Sequence, residues 1–310
     1  MATKFWVGGS GNWTDTAHWS TSSGGVGGAA IPAFVQDGTS FEFYGTEDVV
    51  FDANSFSTTG LTVTVGGNAF ANNLTTATVT NSPTFAWSNA TSKLRVFGDL
   101  NITGTQWPTG GGNNRIELNG FGSHSINFGG STTKQIRFFN WGGTATYTIS
   151  GDVVMGTNGI IDFSIGNPFT LNLAGHTVTT STFIFPGDYP LTLSTGTINV
   201  LSTLSVSATD LTCYDITWNV TANVYGPADT TGVFAGSSTA HPLTLTNNSG
   251  SSKTISGVTL RNTILNGTSG FVLERVVDDG GNDWGGGGGG PGNPPKKYYV
   301  KLPPDYIALP

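Results

Sequence analysis

Carboxylates are the residues in this chain best suited by type to do chemistry. Five of them follow one another through its middle: Asp152, Asp162, Asp188, Asp210 and Asp215. Glycoside hydrolysis uses two carboxyl groups about 5–9.5 Å apart in a groove. Stacked strands lie about 4.8 Å apart, so aspartates one coil apart in such a stack would meet that requirement. Asp152 and Asp188, however, each follow a glycine, Gly151 and Gly187. That is the pair in which aspartate serves a turn through its own backbone. The expectation is therefore no catalytic residue and no enzyme; the alternative is a polysaccharide hydrolase or lyase.

Metal chemistry fares no better. His18, His124, His176 and His241 are far apart, and none has a second His or a Glu at ligand spacing. Asp278, Asp279, Asn282 and Asp283 stand among glycines, a set of oxygens that suits Ca²⁺. They lack the full twelve-residue loop and occur once, so a solvated linker is the expectation. Cys213 is the single cysteine, which excludes an intrachain disulfide and a thiolate cluster. In LTCYDITW it reads as a small buried hydrophobe. The phosphate-cradling GxxxxGK[ST], HExxH, CxxC and GxSxG are all absent. No metal and no cofactor is expected.

Charge narrows the partners. The 310 residues include 12 Lys and Arg, scattered, and the formal net charge is −7. Nucleic-acid binding by counterion release needs a basic footprint, so that class is set aside. No run of about 18 apolar residues occurs, and no membrane insertion is expected. MATKFWVGGSGNW has no apolar core of a secretory signal. Charged residues make up 10% against about 25% in ordinary globular proteins, and Thr, Asn and Ser take their place. Such a surface suits stacked strands, where β-branched side chains pack well and like charges repel. An outward-facing composition without export signal or disulfides fits a virion protein, made in a host cytoplasm and released by lysis.

Any site would have to be positioned by strands. LTVTV (61–65), KLRVF (93–97), TATYTI (144–149), FTLNL (169–173), GTINV (196–200) and PLTLT (242–246) all alternate apolar with polar. Each meets a Gly, Asn or Ser within two residues of its end, the pattern of a strand with one buried face. Related phrases recur at GDLNI (98–102), GDVVM (151–155), GTINV (196–200) and GVTL (257–260). Their uneven spacing leaves room for two or three coils of about 20–25 residues each, as a solenoid allows. The expected body, 47–277, is a β-helix, a solenoid of stacked coils. Tandem β-sandwiches or jelly-rolls are the alternative, since these also show turn signals every 8–12 residues.

Residues 1–46 carry Trp6, Trp13 and Trp19 between glycines. These rings are read as covering an open end of the β body, each burying about 150–250 Å², with an aromatic platform for sugar as the other reading. The spacing W-x-G-G-x-G-x-W-x(5)-W, followed by Pro32 and then DVVFDANSF (48–56), resembles the N-terminus of a group of tailed-bacteriophage and related bacterial surface proteins. In that group a right-handed parallel β-helix follows. The likeness covers 5–24 and 47–65, with an insertion at Gln36–Thr46. It implies architecture and a virion or surface context, and no enzymatic residues.

After Val277 the chain becomes Gly-rich, then Pro-rich. The segment 278–310, with Tyr298, Tyr299 and Tyr306 among prolines, suits an extended peptide laid on another surface. Docking on a partner subunit or on its own β body are both consistent with that pattern. Taken together, the reading is a non-enzymatic phage appendage, a tail fibre, spike or head decoration. Its contacts would be Trp6, Trp13, Trp19, Tyr298, Tyr299 and Tyr306. Its partners would be other virion proteins and copies of itself, a trimer favoured, with a host-surface glycan as a further partner. The alternatives are a carbohydrate-binding or carbohydrate-cleaving tailspike and a bacterial surface adhesin.

Overall fold

A computed structural model describes residues 1–36, 43–103, 105, 114–129, 135–140, 142–155, 158–185, 191–206, 211–220, 223–225, 232–236, 243–247, 249–256, 258–274, 277–278 and 300–301. Apart from one 3₁₀ turn at Thr16–His18, every regular element among them is a strand. The chain divides into two compact units, Met1–Asn167 and Pro168–Pro310.

In the first unit the strands stack in parallel, one coil upon the next. One stack runs Asn68–Ala71, Lys93–Val96, Arg115–Leu118, Gln135–Asn140 and Ile160–Ile165. A second runs Ala2–Trp6, Glu47–Val50, Leu74–Thr75, Leu100–Asn101, Gly122–Asn127 and Ala145–Ile149. A third holds Gly11–Asn12, Thr62–Val65 and Thr84–Trp87. The register puts like on like. Ala69, Leu94, Ile116, Ile136 and Ile161 lie on successive rungs, 20–25 residues apart, and all are buried. This is the parallel β-solenoid expected from the alternation; a sandwich would pair its strands antiparallel.

The second unit repeats the device. Val178, Ile198, Trp218, Leu245 and Leu265 form one column, and Phe183, Leu204, Val224, Ile255, Leu273 and Val300 another. The longest strand, Leu191–Val206, turns a corner at Thr195 and Gly196 and so serves more than one stack. On the outward side Asn219 donates to Asn199 at 2.8 Å, and Asn199 to Thr179 at 3.0 Å. The uncharged polar residues are thus spent on tying rung to rung.

Corners explain the recurring Gly-Asp phrases. Asp48 Oδ1 accepts from the amides of Asn72 and Asn73 and from the Asn73 backbone; Asn73 Oδ1 then accepts from Asp99 N at 2.7 Å, and Asp99 Oδ1 from Ser125 N at 2.8 Å. A Cβ on Gly98 would run into Asn73 Oδ1, and one on Gly151 would stand 3.0 Å from Asn127 Oδ1. Glycine is there because the side chain of the coil below occupies the space.

The N-terminal segment closes one end. Ala2–Trp6 is the terminal rung of the second stack and Gly11–Asn12 that of the third. Trp19–Ser20 pairs antiparallel along the outer edge of Phe5 and Trp6. Trp6, Trp13 and Trp19 are buried, stacked or edge-on to one another and to Phe51. Two of the indoles donate internally, Trp6 Nε1 to Gly9 O and Trp19 Nε1 to Trp13 O. Gly8 and Gly9 adopt φ of +82° and +83°, a region costly for other residues, and the His18 ring fills the place of a Cβ on Gly11. The glycines of the W-x-G-G-x-G-x-W spacing are therefore required by this packing.

Candidate functional site: a charged ladder on one strand stack

Alternation along the first stack sends Leu94, Val96, Ile116, Leu118, Ile136 and Phe138 into the core. Their neighbours Lys93, Arg95, Arg115, Glu117, Gln135 and Arg137 stand on the opposite face. The parallel register sets Phe70, Arg95, Glu117, Arg137 and Asp162 directly one above another. Charge alternates up this column, which is the stabilising order for residues directly opposite in a sheet.

The contacts are close. Glu117 accepts from Arg95 Nε at 2.7 Å and from Arg115 Nε at 2.6 Å, with Lys93 Nζ 3.6 Å away. Asp162 is gripped by two Arg137 nitrogens, Nε at 2.8 Å and Nη2 at 2.7 Å, and by Gln135 Nε2 at 3.0 Å. At the other end the Arg95 guanidinium lies 5.7 Å from the centroid of Phe70, within cation–π range. Phe70 in turn stacks on Phe34 at 4.1 Å.

Glu117 is only 2% exposed. Burial alone would push its carboxyl up, but the hydrogen bond from Arg95 and the charges of Arg95, Arg115 and Lys93 outweigh it and hold it below the ordinary value. The Lys93 ammonium is lowered by burial, against the attraction of Glu117 and with the repulsion of Arg115 and Arg95. The hydrogen bond to Asp162 raises Arg137, against its partial burial. A general acid working near neutral pH needs a raised carboxyl. Glu117 is tuned the other way, and Asp162 is locked by a bidentate guanidinium. This ladder holds charge in place.

The residues singled out from sequence fall elsewhere. Trp6, Trp13 and Trp19 are covered by the chain itself, so the sugar-platform reading has no open ring face to use. Tyr298, Tyr299 and Tyr306 lie outside the described residues, as do Asp188, Asp210, His241 and the stretch Asp279–Asp283. Of the tail, Val300–Lys301 pairs in parallel with Phe271–Glu274, Lys301 opposite Glu274. Asp152 is exposed at its corner, while Asp162 belongs to the ladder. His18 stacks on Trp6 at 4.8 Å, and His124 sits 3.8 Å from Asp99 and over Tyr147, whose phenol burial pushes well up. Cys213 stands in register with the buried Leu193. Among the described residues no three His, Cys, Asp or Glu gather as a metal site.

Of the ladder, sequence reasoning singled out Asp162 alone, and as a candidate acid. The ladder's signal was present in KLRV (93–96), RIEL (115–118), QIRF (135–138) and IIDF (160–163), but it emerges only once the coil length aligns them. Compared with known proteins, the chain matches no family model, no curated protein and no solved structure.

Proposed function

We propose that this protein is a non-enzymatic structural component of a phage-type particle, an appendage such as a tail fibre, spike or head decoration. Its β-solenoid coils act as a stiff scaffold that spaces or joins surfaces. The observation that carries this reading is the use made of its polar side chains. Arg95, Glu117, Arg137 and Asp162 in the ladder, Asp48, Asn73 and Asp99 at the corner, and Thr179, Asn199 and Asn219 in the second unit all bind the coil above or below. Groups that could work on a substrate are engaged in holding coil to coil. The likeness of the tryptophan segment to tailed-phage and bacterial surface proteins supports the particle context.

The test is mass spectrometry of purified particles from a producing culture, with copy number from intensities. A fixed copy number per particle is the expected result. Presence only in the soluble lysate, with particles complete without it, overturns the reading.

A further inference from the structure

We propose that the pair Asn266 and Gly267 is a site of spontaneous covalent modification, at which the Asn266 side chain loses ammonia to its own backbone and becomes aspartate or isoaspartate. The inference goes beyond the appendage reading and does not depend on it.

The chain carries its own control. Leu118, Asn119 and Gly120 form the same tripeptide as Leu265, Asn266 and Gly267, so any difference between the two is made by the fold. Glycine is the residue that lets a backbone nitrogen approach most closely, and both tripeptides supply it. A third such pair, Asn158 and Gly159, has its glycine buried. Gly120 is shut in as well. It is buried, and its N donates to Tyr147 Oη at 2.7 Å, leaving Asn119 Oδ1 out of that bond.

At the other tripeptide the reacting groups already face each other. Asn266 ends the strand Thr263–Asn266 and is exposed. Gly267 N donates to Asn266 Oδ1 at 2.8 Å. The nitrogen therefore lies beside the carboxamide and needs only a small turn of that group to meet its carbon, a near-attack arrangement. Gly267 has φ of +112°, and a Cβ there would run into the Asn247 backbone, so this corner admits only glycine. The main-chain carbonyl of Asn266 accepts from Asn247 N at 3.0 Å. That bond stabilises the charge that spreads onto the oxygen when the Gly267 N–H gives up its proton.

Water is the only co-reactant. Hydroxide takes the Gly267 N–H proton, the nitrogen's electron pair forms a bond to Asn266 Cγ, and the Cγ–Nδ2 bond breaks. Nδ2 leaves as ammonia with a proton from water, and a cyclic succinimide remains. Water then opens the ring at Cγ, restoring the chain as aspartate, or at the main-chain carbonyl carbon, routing the chain through the side chain as isoaspartate. The second product lengthens the backbone at a corner where Asn247 N bonds Asn266 O and Asn247 O accepts from Ser269 N. It therefore loosens the join between two coils.

Peptide mass spectrometry tests this on the full chain held at neutral and mildly alkaline pH, folded and in urea. In the folded chain Asn266 should convert about tenfold or more faster than Asn119, which reacts only through local opening. In urea the two identical tripeptides should converge, and conversion should rise in proportion to hydroxide. Aspartate and isoaspartate should both form, told apart by isoaspartyl methyltransferase labelling. Asn266→Gln, whose longer side chain closes the ring poorly, should stop the conversion, and its melting midpoint checks that it folds. Three results overturn the proposal. They are Asn119 converting as fast as Asn266 in the folded chain, Asn266 unchanged there while both convert in urea, or aspartate as the sole product, which means direct hydrolysis without the ring. None of these bears on particle incorporation, so the two readings fail separately.

Discussion

At Glu117 three cations converge on a carboxylate with almost no access to water. Removing one partner of a buried ion pair costs about 3–5 kcal/mol, since the others are left uncompensated. Glu117→Gln should lose about that much by denaturant unfolding. A carboxyl whose folded pKa is depressed contributes stability that is present above its unfolded value and lost as pH falls through the folded one. The melting midpoint should therefore hold from neutral pH down to the ordinary glutamate value of 4.5 and decline below it. In Glu117→Gln that decline should be shallower; equal slopes would show that Glu117 is not the group responsible. Gly98 offers a second residue-level test. A Cβ there meets Asn73 Oδ1 and Asn72 O, whereas one on Gly143 finds only ordinary contact with Phe121 at 3.7 Å. Gly98→Ala should cost about 1–3 kcal/mol by overpacking, and Gly143→Ala far less, in paired urea melts.

At the scale of elements, the N-terminal segment is part of the solenoid and not an attachment to it. It supplies the last rung of two stacks and a tryptophan lid over their shared core. An uncovered end would present both an apolar core and strand edges open to pairing with other chains. Trp13→Ala should accordingly cost about 3–5 kcal/mol as a large-to-small core change. Hydrogen exchange should quicken first in Ala2–Trp6 and Glu47–Val50; protection unchanged there would mean that the lid is dispensable. The ladder teaches a related point. Its members come from four strands, each with an unremarkable pattern, and only stacking makes them one device.

For the whole molecule, the two units share one principle, parallel coils locked by columns of like side chains. Nothing in that principle calls for catalysis, and much of the polar inventory is spent on it. If the chain works in a particle as proposed, closed symmetry is the usual form of its assembly. The favoured trimer predicts a solution mass of three chains of 32.1 kDa and particle copy numbers divisible by three. A monomeric mass at micromolar concentration, with copy numbers indivisible by three, would remove it.

Composition and alternation by themselves pointed to the all-β class and the coil-sized repeat, and ring size favoured a covering role for Trp6, Trp13 and Trp19 over a sugar platform. Those features are local: a strand's buried face shows in every second residue, and Gly8 and Gly9 stand where φ is positive while Gly11 leaves room for the His18 ring. Register was beyond the sequence. Coils of unequal length hide which residue lies over which, so Arg95, Glu117, Arg137 and Asp162 stay unrelated until stacking sets them 4.8 Å apart. Asp162 shows the difference most plainly. Read along the chain it is one of several candidate acids; in the fold it is buried, held by Arg137 and Gln135, and part of the support. Tertiary structure decided that, because the environment of a carboxylate is made by residues about one coil away.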